Sequence, residues 1–410
     1  MSLSVDPALL YRVTLPFQSG PSRHVGLAVS GGSDSVALLW LIAPWARSLG
    51  LGVSVATVDH GLRPEARDEA AFVGRVCAGI GVPHRILEWQ GWDGQGNLMA
   101  RAREARAALL ADWARDCGID TVALGHTMDD QAETVLLRLA RGSGVDGLAG
   151  MEAERVHGGV RWVRPLLGER RETLRAVLRA AGKVWVEDPS NADTRFDRVK
   201  ARQALGLLGP MGIDATGLDE TAVRMRMARD ALEDYARRAA REVLRVEAGD
   251  VVLARAGFDL LPMETQLRLW SDAIRWVGGS VYRPRLAALQ GAVAGLAHEG
   301  RRTLQGTILS RGRTAWRVTR EWAAVRDARA AVGEVWDGRW IVEGPAGGQG
   351  AEVRALGPAV AEVPGWRAAG VPRATLMASP GVWREGALVA APAAGYGQGW
   401  SARIVADFWR

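Results

Sequence analysis

The chain has 410 residues, which is too long for one ordinary hydrophobic core and favours two or three domains. Hydrophobic residues make up 48% of the composition and charged residues 24%, which excludes a disordered chain. The net charge of +6 and the sequence pI of about 9.9 favour polyanionic partners. Only two of the 52 basic residues are lysines, and this arginine excess fits either phosphate binding or codon bias.

The cysteines and the amino terminus exclude further classes of protein. Cys77 and Cys117 form no C-x-x-C pair, so one chain offers neither a thiolate-bound metal cluster nor a redox motif. The first residues lack the pattern of a signal peptide, and the longest apolar run, 36–46, is too short to span a bilayer. We therefore expect a cytoplasmic protein without a membrane partner. The oligomeric state stays open, and a homodimer is one alternative.

The amino-terminal half alternates strand-like and helical patterns. Strands are predicted at 25–29, 53–58, 85–89, 121–124 and 184–186, and helices at 35–47, 65–78, 98–116, 129–139 and 170–181. Near-continuous apolar strands separated by helices predict an α/β fold, with a parallel, Rossmann-like sheet covered by helices on both faces. Ligands of such sheets bind at the carboxyl ends of the strands, so we expect Ser30, Asp59 and His126 on one rim.

The pattern changes after about residue 208. Helices are predicted at 219–246, 263–276 and 283–297, followed by strand-like pieces at 302–310 and 315–319. Beyond about residue 331 the chain is rich in Gly, Ala, Pro and Trp, with short strands such as 340–343. We therefore predict three domains: an α/β domain over 1–210, a mainly helical domain over 211–330 and a small β-rich module over 331–410.

A glycine- and serine-rich turn joins the first predicted strand to the first helix of the sheet. Gly31 and Gly32 can adopt positive φ, so backbone N–H groups can converge there, and Ser33 or Ser35 adds a hydroxyl donor. The positive end of the following helix points at the same place, which predicts a phosphate site. The plain alternative is a turn in which Asp34 complements the helix end.

This turn lacks the G-x-x-x-x-G-K-[ST] pattern, and no lysine lies nearby in the sequence. The run Ser30-Gly-Gly-Ser-Asp-Ser35 instead resembles the PP-loop of N-type ATP pyrophosphatases. Those enzymes split ATP between its α- and β-phosphates and transfer AMP. The resemblance implies that the loop binds ATP and that Mg²⁺ neutralises the departing pyrophosphate.

Two more polar segments follow strands. Asp59-His60-Gly61-Leu62-Arg63 comes after the second strand and reads, taken alone, as an ordinary loop in which Asp59 caps a turn. In the segment 125–134, Thr127 can cap a helix with Asp130 at the capping-box position. Asp130 and Glu133 share one helical face, where they can hold Mg²⁺ or a cationic amine. The alternative is that they only complement the first turn of the helix.

Taken in order, these segments and Glu187-Asp-Pro-Ser-Asn191 resemble the tRNA(Ile)-lysidine synthase family. The resemblance is strong over about 22–205, includes 97–106 and 164–167, and is looser to about residue 322. One departure concerns the family's Arg-Asn-x-x-Arg run. Here Arg198 and Arg202 are both present, but Val199 stands in place of the asparagine.

The family joins the ε-amine of free lysine to C2 of the wobble cytidine in the CAU-anticodon isoleucine tRNA. ATP first adenylates the cytidine, and AMP and pyrophosphate are released. The resemblance implies that ATP is bound by Ser30, Gly31, Gly32, Ser33, Asp34, Ser35, Asp59 and His60. It implies catalytic roles for Asp34, His126, Asp130, Glu133, Arg106 and Arg198, with Mg²⁺ on Asp34 and Asp130. His126 would stabilise the α-phosphate or the cytosine oxygen, and the two arginines would contact phosphate or the flipped cytidine.

Charge supports an RNA partner beside this site. Residues 161–202 carry eleven basic and six acidic residues, a net charge of +5. We expect tRNA to contact Arg63, Arg195, Arg198, Lys200 and Arg202, and the middle domain. A solvated face is the plain alternative. Rival functions are a PP-loop tRNA thiolase, a small-molecule ligase of the same superfamily, and a non-catalytic RNA-binding module with a relic ATP loop.

Overall fold

The computed structural model describes residues 5–18, 23–61, 65–90, 92, 98–187, 194–345 and 350–408. The chain divides into two compact units, Met1–Arg229 and Asp230–Arg410. The predicted boundary near residue 330 falls inside the second unit. The division into three domains stays a prediction.

The first unit is built on a six-stranded sheet with the order β3-β2-β1-β4-β6-β5. Its strands are β1 (His24–Ala28), β2 (Gly52–Asp59), β3 (His84–Glu88), β4 (Thr121–Leu124), β5 (Glu154–His157) and β6 (Val160–Val163). All neighbouring pairs are parallel except β5 with β6, which form an antiparallel hairpin at the edge. The predicted parallel α/β fold is confirmed.

Helices cover both faces of this sheet. They are α1 (Pro7–Gln18), α2 (Ser33–Ser48), α3 (Ala66–Gly79), α4 (Leu98–Asp116), α5 (Met128–Ala140), α6 (Val145–Leu148), α7 (Arg171–Ala180), α8 (Asp197–Leu208) and the start of α9 (Ala215–Val243). One core packs α1, α2, α3 and α7 against the sheet, and a second core packs α4 around Trp113 and Trp162. This double cover explains why the strands read as continuous apolar runs.

One predicted strand is wrong. Residues 184–186 are extended but belong to no sheet, and the N–H of Val186 donates to the carbonyl oxygen of Gly31 at 2.9 Å. An apolar Val-Trp-Val run is typical of a strand, yet here it packs beside the glycine-rich loop. The β5–β6 hairpin was not predicted, because β5 is fully exposed and carries no apolar pattern.

The second unit contains antiparallel sheets and helices. Its helices after α9 are α10 (Arg255–Phe258), α11 (Met263–Gly278), α12 (Leu286–Glu299) and α13 (Arg373–Met377). A five-stranded sheet has the order β7-β8-β11-β10-β9, with β7 (Leu244–Glu247), β8 (Asp250–Ala254), β9 (Arg301–Leu304), β10 (Thr307–Arg311) and β11 (Ala315–Arg320). The predicted helical region after the α/β domain is confirmed by α9, α11 and α12, whereas β7 and β8 were not predicted.

The rest of the second unit confirms a β-rich carboxyl-terminal part. One sheet holds β12 (Ala330–Ala331), β15 (Glu352–Ala355), β16 (Pro380–Arg384) and β17 (Ala387–Ala390). The other holds β13 (Val335–Trp336), β14 (Trp340–Glu343) and β18 (Ser401–Ile404). Across the described residues, no helix combines the length and apolar character needed to cross a membrane.

Candidate active site

The glycine-rich loop leaves β1 and enters α2 without a side-chain cap. Gly31 has a φ of +95°, a conformation that favours glycine, whereas Gly32 has an ordinary φ of −70° and is the N-cap of α2. The Ser35 hydroxyl donates to the carbonyl of Gly32 at 3.0 Å and accepts from the N–H of Ser30 at 3.1 Å. These bonds fix the loop while the first N–H groups of α2 stay available to an anion.

The loop after β4 lies directly against this loop. A Cβ on Gly125 would lie 3.0 Å from the Ser35 Cα, so a larger residue there would push the backbone of the two loops apart. Because β1 and β4 are adjacent, the next residue, His126, lies on the same rim as Ser30. This rim is at the point where the strand order reverses, and ligands of open α/β sheets bind there. Asp59 ends β2 beside them, as expected, and accepts from the N–H of Gly61 at 2.8 Å.

Thr127 and Asp130 form the predicted capping box at the start of α5. The Asp130 Oδ2 accepts from both the N–H and the hydroxyl of Thr127 at 2.8 Å. Its other oxygen, Oδ1, stays free of the cap and faces the residues of the rim. The capping bonds therefore hold this carboxylate in one orientation.

Three carboxylates converge on the guanidinium of Arg171. Its Nε donates to Asp34 Oδ2 at 2.8 Å and its Nη2 to Asp130 Oδ1 at 2.9 Å. Its Nη1 lies 3.6 Å from Glu133 Oε1. Asp130 and Glu133 thus project from one face of α5, as their spacing predicts. Arg171 was not among the residues predicted for the site.

Burial and pairing act in opposite directions on these acids. Burial raises the pKa of Asp34 and of Glu133 in spite of their arginine partners. Burial also acts upward on Asp130, but Arg171 and the backbone N–H of Thr127 outweigh it and lower its pKa. The nearby His126 and Arg198 act on the pKa of Asp130 in the same downward direction. The acids in turn raise the pKa of Arg171, which stays charged.

The side of the site toward α4 is positively charged. Burial first, and then the like charge of Arg198, lowers the pKa of Arg106. The pKa of His126 is lowered to about 3, mainly by burial. Asp130 acts to raise this pKa, whereas the positive charges of Arg164, Arg106 and Arg198 act to lower it. His126 is therefore neutral near pH 7, and within the described part of the chain its buried Nδ1 has no hydrogen-bond partner. The buried Nδ1 of His60 also has none there.

A model of the PP-loop domain family matches residues 6–207. The chain is 50% identical over 398 residues to the tRNA(Ile)-lysidine synthase of Ruegeria pomeroyi, which covers 97% of this chain and 94% of that protein. The chain belongs to the tRNA(Ile)-lysidine synthase family. The synthase of Rhodopseudomonas palustris is 46% identical over 248 residues, covering 59% of this chain and 71% of that protein.

Among solved structures, the chain is similar to the U34-tRNA thiolase NcsA from Methanococcus maripaludis. The sequence identity is 16%, the match covers 54% of this chain and 78% of that chain, and the TM-score is 0.47. This likeness is too low to support an inference about the lysidine synthase chain.

The arginines expected to contact tRNA have different environments. Arg198 is exposed and its Nη1 lies 3.9 Å from Asp130 Oδ1. Arg202 lies one turn further along α8 and donates its Nε to Glu133 Oε1 at 2.9 Å. Lys200 and Arg195 are exposed, and Arg63 lies outside the described residues. Val199, which replaces the family's asparagine, is buried.

The donor set fits a magnesium ion that is bound mainly through phosphate. Among the described residues, no group of three or more His, Cys, Asp or Glu side chains is arranged as a metal cage. The Asp34 Oδ2 and Asp130 Oδ1 atoms nevertheless share one cation, the Arg171 guanidinium. Mg²⁺ usually takes one or two carboxylates and completes its shell with water and substrate phosphates, so two carboxylates suffice.

Asp129 is set apart from the other acids. It accepts from the N–H of Arg171 at 2.7 Å and pairs with the Arg170 guanidinium at 3.1 Å, so it anchors the start of α7. Arg175, one turn beyond Arg171, donates to the Ser33 hydroxyl at 3.2 Å. Arg171 and Arg175 are four residues apart and therefore lie on one side of α7, next to the buried Leu174 and Leu178. This spacing is the local sequence signal that could have pointed to the two arginines.

Proposed function

We propose that this chain uses ATP to join the ε-amine of free lysine to C2 of the wobble cytidine in the CAU-anticodon isoleucine tRNA. One observation carries the proposal. The amino terminus of α2, which has no side-chain cap, lies on the same rim as three acids that surround the guanidinium of Arg171. The names of the relatives support tRNA(Ile) as the substrate and lysidine as the product.

In the first proposed step, the C2 oxygen of the cytosine attacks the α-phosphate of ATP. The bond from the α-phosphorus to the bridging oxygen breaks, and pyrophosphate leaves. Ser30 to Ser35 bind the departing pyrophosphate through backbone N–H groups and hydroxyls. The neutral imidazole of His126 donates a hydrogen bond where negative charge develops. Arg106 and Arg198 bind the α-phosphate or the flipped cytidine on the positive side of the site.

Mg²⁺ would be held by Asp34 and Asp130 and would neutralise charge on the departing pyrophosphate. Arg171 holds these carboxylates at hydrogen-bond distance in the structure, at 2.8 and 2.9 Å. A guanidinium there offsets the repulsion between the two carboxylates and keeps them close together before substrates bind.

In the second proposed step, the lysine ε-amine attacks C2 and AMP leaves. The ammonium group must lose a proton before its nitrogen can attack. Glu133 is suited to receive this proton, because burial raises its pKa and its Oε2 has no hydrogen-bond partner among the described residues. Asp130 orients the amine from the same helical face.

The thiolase alternative has less support, because the two free cysteines lie toward the carboxyl ends of different helices. Cys77 is buried near the end of α3, and burial raises the pKa of its thiol to about 11. Cys117 follows the end of α4. Both helices run antiparallel to the strands, so their carboxyl ends lie toward the amino-terminal ends of the strands.

A tRNA substrate also implies a cytoplasmic location.

The Asp34→Ala variant tests the proposed chemistry. We expect tRNA-dependent release of AMP to fall at least about 100-fold, the scale on which removal of an electrostatic stabiliser acts. Binding of the tRNA should stay within a few-fold of wild type. Asp112→Ala, which changes an exposed acid on α4, is the matched control and should leave both quantities unchanged. AMP release that persists in Asp34→Ala would refute the role of this carboxylate.

A further inference from the structure

A second charged cavity lies beside the active site within the first unit. It has a volume of about 290 Å³ and is lined by Arg138, Arg155, Arg164 and Arg229 and by two acids, Asp146 and Glu152. We call it the arginine pocket. Four guanidinium groups against two carboxylates leave a net charge of +2 in its wall. This volume equals that of about ten water molecules, which is enough for a hydrated phosphate group.

Backbone carbonyls orient the buried arginines of this pocket. Arg138 donates from Nη1 to the carbonyls of Gly147 and Gly150 at 2.8 Å. Arg164 is 9% exposed and donates from Nη1 to the Glu152 carbonyl at 2.5 Å. Neutral carbonyls satisfy hydrogen bonds without cancelling charge, and Glu152 is the acid that acts electrostatically on both guanidinium groups. Burial, and then the like charge of Arg155, lowers the pKa of Arg164 to about 10.

Arg155 is the exposed member of the pocket. Within the described part of the chain, no hydrogen bond or ion pair engages its guanidinium. Arg229, by contrast, donates to Glu152 Oε1 at 3.2 Å. The pocket thus combines two arginines held by backbone carbonyls with one exposed arginine that has no such partner among the described residues, which is an arrangement suited to binding an anion.

The pocket is connected to the reaction site by shared elements. Arg164 directly follows β6, whose carboxyl end lies on the same rim as the ends of β1 and β4, and its charge acts on His126. Arg138 lies five residues after Glu133 on α5, about 7.5 Å along the helix axis. A stacked strand rises ~3.4 Å along its helix axis for each phosphate. The offset between Glu133 and Arg138 therefore corresponds to roughly two nucleotides at most.

We propose that the arginine pocket binds a backbone phosphate of the tRNA within a few nucleotides of the cytidine that reacts. The inference rests on the proposed tRNA substrate. Binding a flanking phosphodiester here would hold the strand while the base enters the site between His126 and Arg106. Phosphate contacts of this kind fix position and register without reading sequence.

The test uses the full chain, the tRNA transcript and the variants Arg155→Gln and Arg155→Lys, with affinity measured over a salt series. For Arg155→Gln we expect affinity to fall about 3- to 10-fold, and the slope of log affinity against log salt to decrease by about 0.7 to 0.9. Arg155→Lys should restore most of the slope, because it keeps the charge. The control is Arg115→Gln, an exposed arginine on α4 paired with Asp112, and it should change neither quantity.

The outcomes separate the sources of phosphate. Equal affinity and slope in wild type and Arg155→Gln would overturn the proposal. If tRNA affinity and slope are unchanged in Arg155→Gln while inorganic phosphate stabilises wild type more than this variant against heat, the pocket binds free phosphate and the proposal fails. If wild type fails to bind the tRNA even at low salt, the proposed function fails, and this site fails with it. A loss of tRNA affinity in Arg155→Gln but not in Arg115→Gln supports the pocket, and this result does not depend on catalysis.

Discussion

Arg171→Gln tests whether the guanidinium holds the acid cluster together. The side chains involved are mostly buried, with exposures of 17% for Arg171 and Asp34, 10% for Asp130 and 1% for Glu133. Removing one partner of a buried ion pair costs about 3–5 kcal/mol, because the other charge is left uncompensated. Glu133 keeps Arg202 at 2.9 Å, so the lower limit applies.

We therefore expect Arg171→Gln to lower the free energy of unfolding by about 3 kcal/mol. For a unit of this size that corresponds to a fall in Tm of about 6–12 °C, measured by thermal denaturation without nucleotide. The deficit should shrink as the pH falls toward 5, because protonation of the acids relieves their repulsion.

Arg179→Gln is the matched control on the same helix. Arg179 pairs with Glu172 at 2.6 Å, but the two side chains are 55% and 69% exposed. An exposed pair of this kind contributes at most about 1 kcal/mol. A Tm for Arg171→Gln that lies as close to wild type as that of Arg179→Gln would refute the reasoning.

Two further predictions concern the loop after β4. The folded-state pKa of His126, about 3, lies below its unfolded value, so the unfolded chain binds more protons between the two. The free energy of unfolding should therefore decrease as the pH drops below about 6.5, by up to about 1.4 kcal/mol per pH unit. His126→Asn should flatten the pH dependence of Tm between pH 6 and 4. A profile that is the same in wild type and variant would contradict this prediction. Gly125→Ala would place a Cβ 3.0 Å from the Ser35 backbone and should lower the rate of AMP release about 10- to 100-fold. The control is Gly79→Ala, whose added Cβ meets nothing within 4 Å and which should leave the rate unchanged. Equal rates in the two variants would contradict a role for the close contact between Gly125 and Ser35.

The sequence predicts β1, β2 and β4 well because these strands are largely buried and read as near-continuous apolar runs between helices. β3 is predicted although most of its residues are not buried, and the buried strand β6 is missed. The same criterion fails for 184–186, since an apolar run can also pack beside a loop without entering a sheet. It misses β5, which is polar, although the Gly158-Gly159 turn before β6 was a hairpin signal.

The site could be predicted only in part for a similar reason. Thr127 and Asp130 are three residues apart, so their capping box follows from spacing. The contact of Arg171 with Asp34 joins residues 137 positions apart, and no local pattern encodes it. The arginine pocket likewise gathers residues from 138 to 229, whose common surface exists only after the sheet has formed.

The most direct measurement is the transfer of radiolabelled lysine by the purified chain, with ATP and Mg²⁺, to the CAU-anticodon isoleucine tRNA. The account predicts that label enters this tRNA, that AMP and pyrophosphate are released, and that a transcript with a different wobble base accepts none. Failure of lysine to enter the tRNA, under conditions in which the chain binds both ATP and the tRNA, would contradict the proposed function.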